Sequence, residues 1–178
     1  MRRILALIAV ASPLAAAPLA LGASNPDESF YKKAAEAGIS EVDEGNQAQE
    51  KANNQQVKDY GAMLVKDHTA ANDQLKSLAA TKDISLPTTA SVAEMAQKAK
   101  LDVLTGDTYD KAFIRDEIKD HREAIALFKK EIADGQDADA KAFAQSTLPT
   151  LEKHLKAARS IATENGWIKS RSSAPKAS

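Results

Sequence analysis

The chain contains three histidines, and two of them lie in a repeated setting. Lys66-Asp67-His68 is followed 53 positions further on by Lys119-Asp120-His121, and the third histidine is His154. Neutral imidazoles are common ligands of divalent first-row transition metals, and a buried carboxylate can complete the ligand set. Whether the fold gathers these histidines at one point therefore decides whether the chain carries a metal site.

The histidines lie on the apolar faces of predicted helices. Apolar residues recur at alternating steps of three and four, which is typical of amphipathic helices. His68 occupies one position of such a stripe, and His121 occupies one in another helix, four residues after Glu117. His154 lies inward or at the edge of the last helix, which Pro149 is expected to kink or to split.

The composition favours helices over strands. Aromatic residues make up only 4% of the chain, and no alternating strand pattern is found. The predicted helices cover residues 30–52, 55–81, 92–104, 107–133 and 138–164. The short helix falls in the long connection between the second and third main helices, so those two can run parallel. We predict an all-α, up-down four-helix bundle with a short extra helix in this crossover.

Counting residues from the turns places the inward polar groups at similar heights. From a turn near residue 54, Glu41 lies 13 residues before and His68 lies 14 after. From a turn near residue 136, His121 and His154 differ in height by about 4–5 Å, at a rise of 1.5 Å per residue. The predicted core layer consists of Glu41, His68, His121 and His154, with Glu117 or Glu44 as a fifth ligand or supporting partner. Such a layer could hold one divalent transition metal ion: zinc, copper or iron.

A metal-free polar layer is the alternative. Hydrogen bonds among the glutamate and the histidines could satisfy the buried polar groups and fix the register of the bundle. Asp67 and Asp120 precede their histidines by one position, which is about 100° around the helix. We expect these two aspartates to face water, or to pair with Lys66 and Lys119, rather than to bind metal.

The N-terminal segment has the pattern of a secretory signal peptide. Two arginines at positions 2 and 3 precede an uncharged run from Ile4 to Ala23 that contains two prolines. Cleavage is expected after Gly22 or Ala23, and the alternative is an uncleaved anchor, because about 20 apolar residues span a bilayer. We expect export to the periplasm, with outer-membrane association as an alternative, and no further membrane span.

The remaining chain is predicted to form one domain over residues 24–166, followed by a disordered basic tail over residues 167–178. The absence of cysteine excludes disulfides and thiolate chemistry. The chain has 24 basic and 25 acidic residues, and losing the two N-terminal arginines leaves 22 against 25, a net charge of −3. This charge gives no indication of a nucleic-acid partner.

Several motifs together resemble a known family of exported bacterial proteins. They are Glu41-Val42 with Gly45 and Ala48, residues 57–61, 63–68 and 71–75, Asp120-His121, and residues 148–155. Between residues 30 and 162 the chain is similar to the secreted bacterial ferritin-like proteins of domain of unknown function 4142. The resemblance implies a ferritin-like up-down four-helix bundle and export, and it carries no activity with it.

The histidines lack the glutamate that di-iron ferritins require. Those proteins use Glu-x-x-His on two of their helices, whereas the residue three before each histidine here is Val65, Ile118 or Leu151. The usual ferroxidase centre cannot be assembled, so a mononuclear site is expected and no catalytic residue is assigned. The leading hypothesis is an exported metal-binding protein concerned with metal handling or envelope stress. A structural or interaction module and a metal-dependent oxidoreductase are the alternatives.

Overall fold

The computed structural model describes residues 27–169. The predicted signal peptide and residues 170–178 of the predicted tail lie outside the described residues. The described part of the chain forms five helices: α1 (Glu28–Lys51), α2 (Gln55–Ala80), α3 (Val92–Asp102), α4 (Gly106–Asp134) and α5 (Ala138–Glu164). Within this range, no helix is both long and apolar enough to cross a membrane.

The four long helices form a bundle in which α1 packs on α2 and on α4, while α5 packs on α4 and on α2. At one end, Asp27 Oδ2 accepts a hydrogen bond of 2.8 Å from the backbone N–H of Gln136. At the other end, Asn54 Nδ2 donates to Asn165 Oδ1 over 2.8 Å. These contacts place the start of α1 beside the α4–α5 turn and the α1–α2 turn beside the end of α5. Consequently α2 and α4 run parallel, and the predicted ferritin-like bundle with α3 in its crossover is confirmed.

The helix ends follow the local sequence signals. Ser91 caps α3 with a capping box completed by Glu94, which satisfies two backbone donors at that end. α5 continues through Pro149 as one helix, so the predicted split does not occur. Trp167 and Ile168, which we assigned to the tail, pack against the core. Both side chains are partly buried there, so residues 167 and 168 take part in the packing of the bundle.

Two glycines let α1 and α2 approach closely. A Cβ added to Gly61 would lie 2.6 Å from the carbonyl oxygen of Gly45 and 2.9 Å from Ala48 Cβ. A Cβ added to Gly45 would lie 2.7 Å from the carbonyl oxygen of Gly61. Glycine lowers helix stability by about 1 kcal/mol relative to alanine. At both positions this cost accompanies the close packing of α1 against α2.

Gly61→Ala is expected to destabilise the protein by about 1–3 kcal/mol, because backbone atoms at a helix contact cannot move aside as a side chain can. Urea denaturation measures the change in the free energy of unfolding. Gly38→Ala is the matched control, since a Cβ there meets the side-chain oxygen of Asn72, which can rotate away. A Gly61→Ala variant as stable as the wild type would contradict this account of the helix contact.

Candidate metal centre

Five polar side chains from the four long helices meet inside the core. Glu41 comes from α1, His68 from α2, Glu117 and His121 from α4, and His154 from α5. Each of these residues is less than a tenth exposed. They form two overlapping groups whose possible ligand atoms lie within 4.8 Å of one another: His68 with His121 and His154, and Glu41 with Glu117 and His121. The structure therefore brings together all five predicted site residues, with His121 common to both groups.

His121 and His154 contact each other ring to ring. His121 Nε2 lies 3.2 Å from His154 Nδ1, and His154 Nε2 lies 3.0 Å from Asp67 Oδ2. On the opposite side of the His121 ring, Nδ1 lies 3.1 Å from the backbone carbonyl oxygen of Glu117 and 3.2 Å from Glu117 Oε2. A line of polar contacts thus runs from α2 through α5 to α4.

The outer partners of this line determine which ring nitrogens carry protons. A neutral imidazole has a single N–H, and a carbonyl oxygen can only accept. The contact with the Glu117 carbonyl therefore assigns the proton of His121 to Nδ1. Burial raises the pKa of Asp67, but the hydrogen bond and charge of His154, with Lys153, lower it overall. Ionised Asp67 accepts, which assigns the proton of His154 to Nε2.

With these protons on the outer nitrogens, the two inner nitrogens face each other with lone pairs. In this pair of tautomers, two lone pairs 3.2 Å apart repel each other unless a cation, either a proton or a metal ion, lies between them. A tetrahedral ion with bonds of 2.0–2.1 Å holds two nitrogens about 3.3 Å apart. The spacing of His121 and His154 therefore matches the distance between two ligands of one tetrahedral ion.

His68 adds a third ring to this pair. Its ring centroid lies 5.8 Å from that of His121 and 5.3 Å from that of His154, and its buried Nε2 has no hydrogen-bond partner among the described residues. Burial lowers the pKa of His68 well below its usual value, and the charges of the other two histidines lower it further. Burial likewise lowers the pKa of His154. An additional proton is disfavoured on both rings, whereas neutral imidazoles retain the lone pairs that bind metal.

The second group lies on the Nδ1 side of His121. Glu41 Oε1 is 3.6 Å from His121 Nδ1, and Tyr60 donates a hydrogen bond of 3.4 Å to Glu117 Oε2. Burial raises the pKa of Glu41 well above its usual value, and the charge of Glu117 adds to this rise. Burial raises the pKa of Glu117 as well, with the charge of Glu44 as the next cause. Without a cation, this carboxyl pair retains a proton.

The family profile described as domain of unknown function DUF4142 matches residues 11–161. This chain belongs to the DUF4142 family. The predicted family is therefore confirmed, and the matched range includes all five site residues of this DUF4142 protein.

Two solved structures have a similar fold. A DUF305 protein from Streptomyces coelicolor is 13% identical with a TM-score of 0.68, and the match covers 81% of this chain and 96% of that one. A DUF305 fragment from Deinococcus radiodurans is 14% identical with a TM-score of 0.70, covering 78% and 97%. No curated protein matches the sequence. At these identities the likeness supports the fold alone.

The prediction that Asp67 faces water or pairs with Lys66 was wrong, because Asp67 contacts His154 and Lys153 instead. α2 packs on α5, so the flank of α2 one position before His68 faces α5, and Asp67 reaches His154 there. Asp120 does pair with Lys119, over 3.0 Å. Position along one helix cannot reveal such a partner, because the partner belongs to a different helix.

Sequence reasoning also missed Tyr60. This residue is only 2% exposed, and its ring lies edge-on to His121 and His154, with centroids 6.5 and 6.4 Å away. Tyr60, Leu64 and His68 follow one another at steps of four residues, which places them along one face of α2. That spacing is the signal that would have included Tyr60 in the polar layer.

Glu44 joins neither ligand group, although it is 4% exposed. Its Oε1 accepts a hydrogen bond of 2.9 Å from Ser40. Burial raises the pKa of Glu44 to about 7 against the opposing effect of this hydrogen bond. The negative charges of Asp120 and Asp116 on α4, and of Glu94 on α3, add to the rise.

Glu44→Gln is expected to stabilise the metal-free protein more at pH 8 than at pH 5. The pKa of Glu44 is about 7 in the folded chain against 4.5 for a free glutamate, so the folded state binds extra protons between these values. Stability therefore falls as the pH rises through this window. Glutamine cannot ionise. The free energy of unfolding of the variant, relative to that of the wild type, should therefore rise by about 1–3 kcal/mol between pH 5 and pH 8.

Urea denaturation at both pH values measures this difference. Glu50→Gln on the same helix is the control, since Glu50 is exposed and its side chain is solvated in the folded and unfolded chain alike. A gain for Glu44→Gln that is equal at pH 5 and pH 8 would refute the assignment of a raised pKa to Glu44.

Proposed function

We propose that this DUF4142 protein binds one divalent transition metal ion through His68, His121 and His154. The observation that supports it best is the pair of inner nitrogens on His121 and His154, which face each other 3.2 Å apart while their outer nitrogens contact acceptors. Three imidazoles form an established ligand set for zinc that leaves a fourth position for water. Copper(II) and iron(II) also accept imidazole ligands.

The carboxylates would support the ion in two ways. Asp67 and Glu117 accept from the outer nitrogens of the two rings, an arrangement that orients metal-binding histidines and raises their basicity. Glu41 and Glu117 lie on the far side of His121, where their negative charge offsets the charge of the ion. Glu41 and Glu117 thus take the supporting role, and the histidines are the direct ligands.

We further propose that the chain is exported and that it handles metal in the periplasm. This proposal rests on the N-terminal segment, in which two arginines precede an uncharged run of signal-peptide type. Metal handling and the response to envelope stress are both roles that a periplasmic metal-binding protein can fill.

Titration of the metal-free protein with Zn²⁺ in a calorimeter is expected to give one bound ion per chain. His68→Ala and His121→Ala should each weaken binding by more than about 100-fold, since loss of a ligand costs at least as much as loss of its supporting partner. Glu50→Gln is the control, because Glu50 is exposed on α1 and belongs to neither ligand group. Circular dichroism confirms that the variants fold. A wild-type protein that binds no Zn²⁺, or histidine variants that bind as the wild type does, would contradict the proposal.

Asp67→Asn tests the supporting role separately from the ligands. The variant keeps all three imidazoles but loses the negative charge that holds the proton of His154 on Nε2. We expect the affinity for Zn²⁺ to fall by about 10-fold. Asp73→Asn, an exposed change on the same helix, should leave the affinity unchanged. Equal affinities for the two variants would show that Asp67 does not act on the metal site.

A metal-free polar layer that fixes the bundle register is the second candidate function. The continuous line of contacts from Asp67 through His154 and His121 to Glu117 supports it. In this case the cation between the two rings is a proton. Removing His121 would then lower the stability of the protein, and no Zn²⁺ would bind to the wild type.

A further inference from the structure

A cavity of about 480 Å³ extends from the surface of the bundle to the polar layer. Residues of all five helices line it, and it reaches His68 on α2. Five acidic residues and two lysines line it, so negative charge predominates. The acidic residues are Glu41, Glu44, Glu94, Asp120 and Glu123, and the lysines are Lys33 and Lys119.

The acidic residues nearest the polar layer are far more buried than those at the mouth of the cavity. The side chain of Glu123 is 66% exposed and that of Asp120 is 26% exposed. Glu44 and Glu41 are only 4% and 8% exposed. These carboxylates therefore form a series that begins in solvent and ends at Glu41, beside His121.

Glu44 occupies the middle of this series. Burial is the main cause that raises the pKa of Glu44, and the charges of Asp120 and Glu94 near the mouth of the cavity add to it. At the inner end, the charge of Glu44 in turn contributes to the raised pKa of Glu41 and of Glu117. Glu44 is thus close enough to interact with the carboxylates at both ends.

Two buried polar atoms at the inner end of the cavity have no hydrogen-bond partner among the described residues: Glu41 Oε2 and His68 Nε2. Both residues line the cavity and are more than nine-tenths buried. A buried polar atom without a partner is costly, and both atoms belong to residues that line the cavity.

We propose that this cavity is the path by which a divalent cation enters and leaves the three-histidine site, with Glu44 as the carboxylate that passes the ion inward. The inference rests on the proposed function. A cleft lined by charges of one sign concentrates ions of the opposite sign and speeds their association. Glu44 therefore governs the rate of metal exchange, whereas the histidines govern the affinity.

Stopped-flow mixing of the metal-free protein with Co²⁺, followed by the visible absorbance of the bound ion, tests the route. Glu44→Gln should slow association by about 10-fold, the lower end of the range for electrostatic focusing. Dissociation into excess chelator should slow to a similar extent, which leaves the dissociation constant within a few-fold of the wild-type value. Ala37→Leu, which narrows the cavity from α1, should slow both steps without any change of charge.

Asp43→Asn is the matched control, since Asp43 is exposed, adjoins Glu44 on α1 and does not line the cavity. If Glu44→Gln and Ala37→Leu both bind and release Co²⁺ at the wild-type rates, the cavity is not the path of the ion. The same conclusion follows if Asp43→Asn slows these rates as much as Glu44→Gln does. An unchanged rate combined with tight equilibrium binding would overturn the route and leave the proposed metal site intact. Failure of the wild type to bind Co²⁺ and Zn²⁺ at equilibrium would overturn the proposed function and the route together.

Discussion

The contact between His121 Nε2 and His154 Nδ1 ties the four long helices to one another. His154 also contacts Asp67 on α2. His121 also contacts Glu117 on its own helix and Glu41 on α1. Each ring nitrogen in this line lies beside another polar atom, so the position of one helix constrains the others. The case for a cation between the two rings rests on the Glu117 backbone carbonyl beside His121 Nδ1 and on the ionised Asp67 beside His154 Nε2, because both groups only accept.

The close contact of α1 and α2 helps to place this layer. Gly45 and Gly61 meet backbone to backbone, one turn along α1 from Glu41 and two turns along α2 from His68. A larger residue at this contact would push the two helices apart beside the site. The same helix pair therefore carries both this close glycine contact and two of the buried polar groups. Apolar packing supplies the stability that the buried polar layer costs.

Much of the fold and part of the site could be predicted from the sequence. The steps of three and four residues placed His68 and His121 on buried faces, and the position of α3 implied the parallel arrangement of α2 and α4. Counting from the turns brought Glu41 level with His68. The periodicity of one helix does not report which neighbour lies beside each flank, so the contact of Asp67 with His154 was missed. Which residues around His121 would bind metal directly and which would support them also depends on which ring nitrogen faces which group. No sequence pattern specifies the orientation of the ring.

Crystals of the protein loaded with Zn²⁺ and measured at the zinc absorption edge test the central claim most directly. The account predicts one strong anomalous peak between the rings, at about 2.0–2.1 Å from one nitrogen each of His68, His121 and His154. Zinc found only on surface carboxylates, with no peak among the three rings, would contradict it.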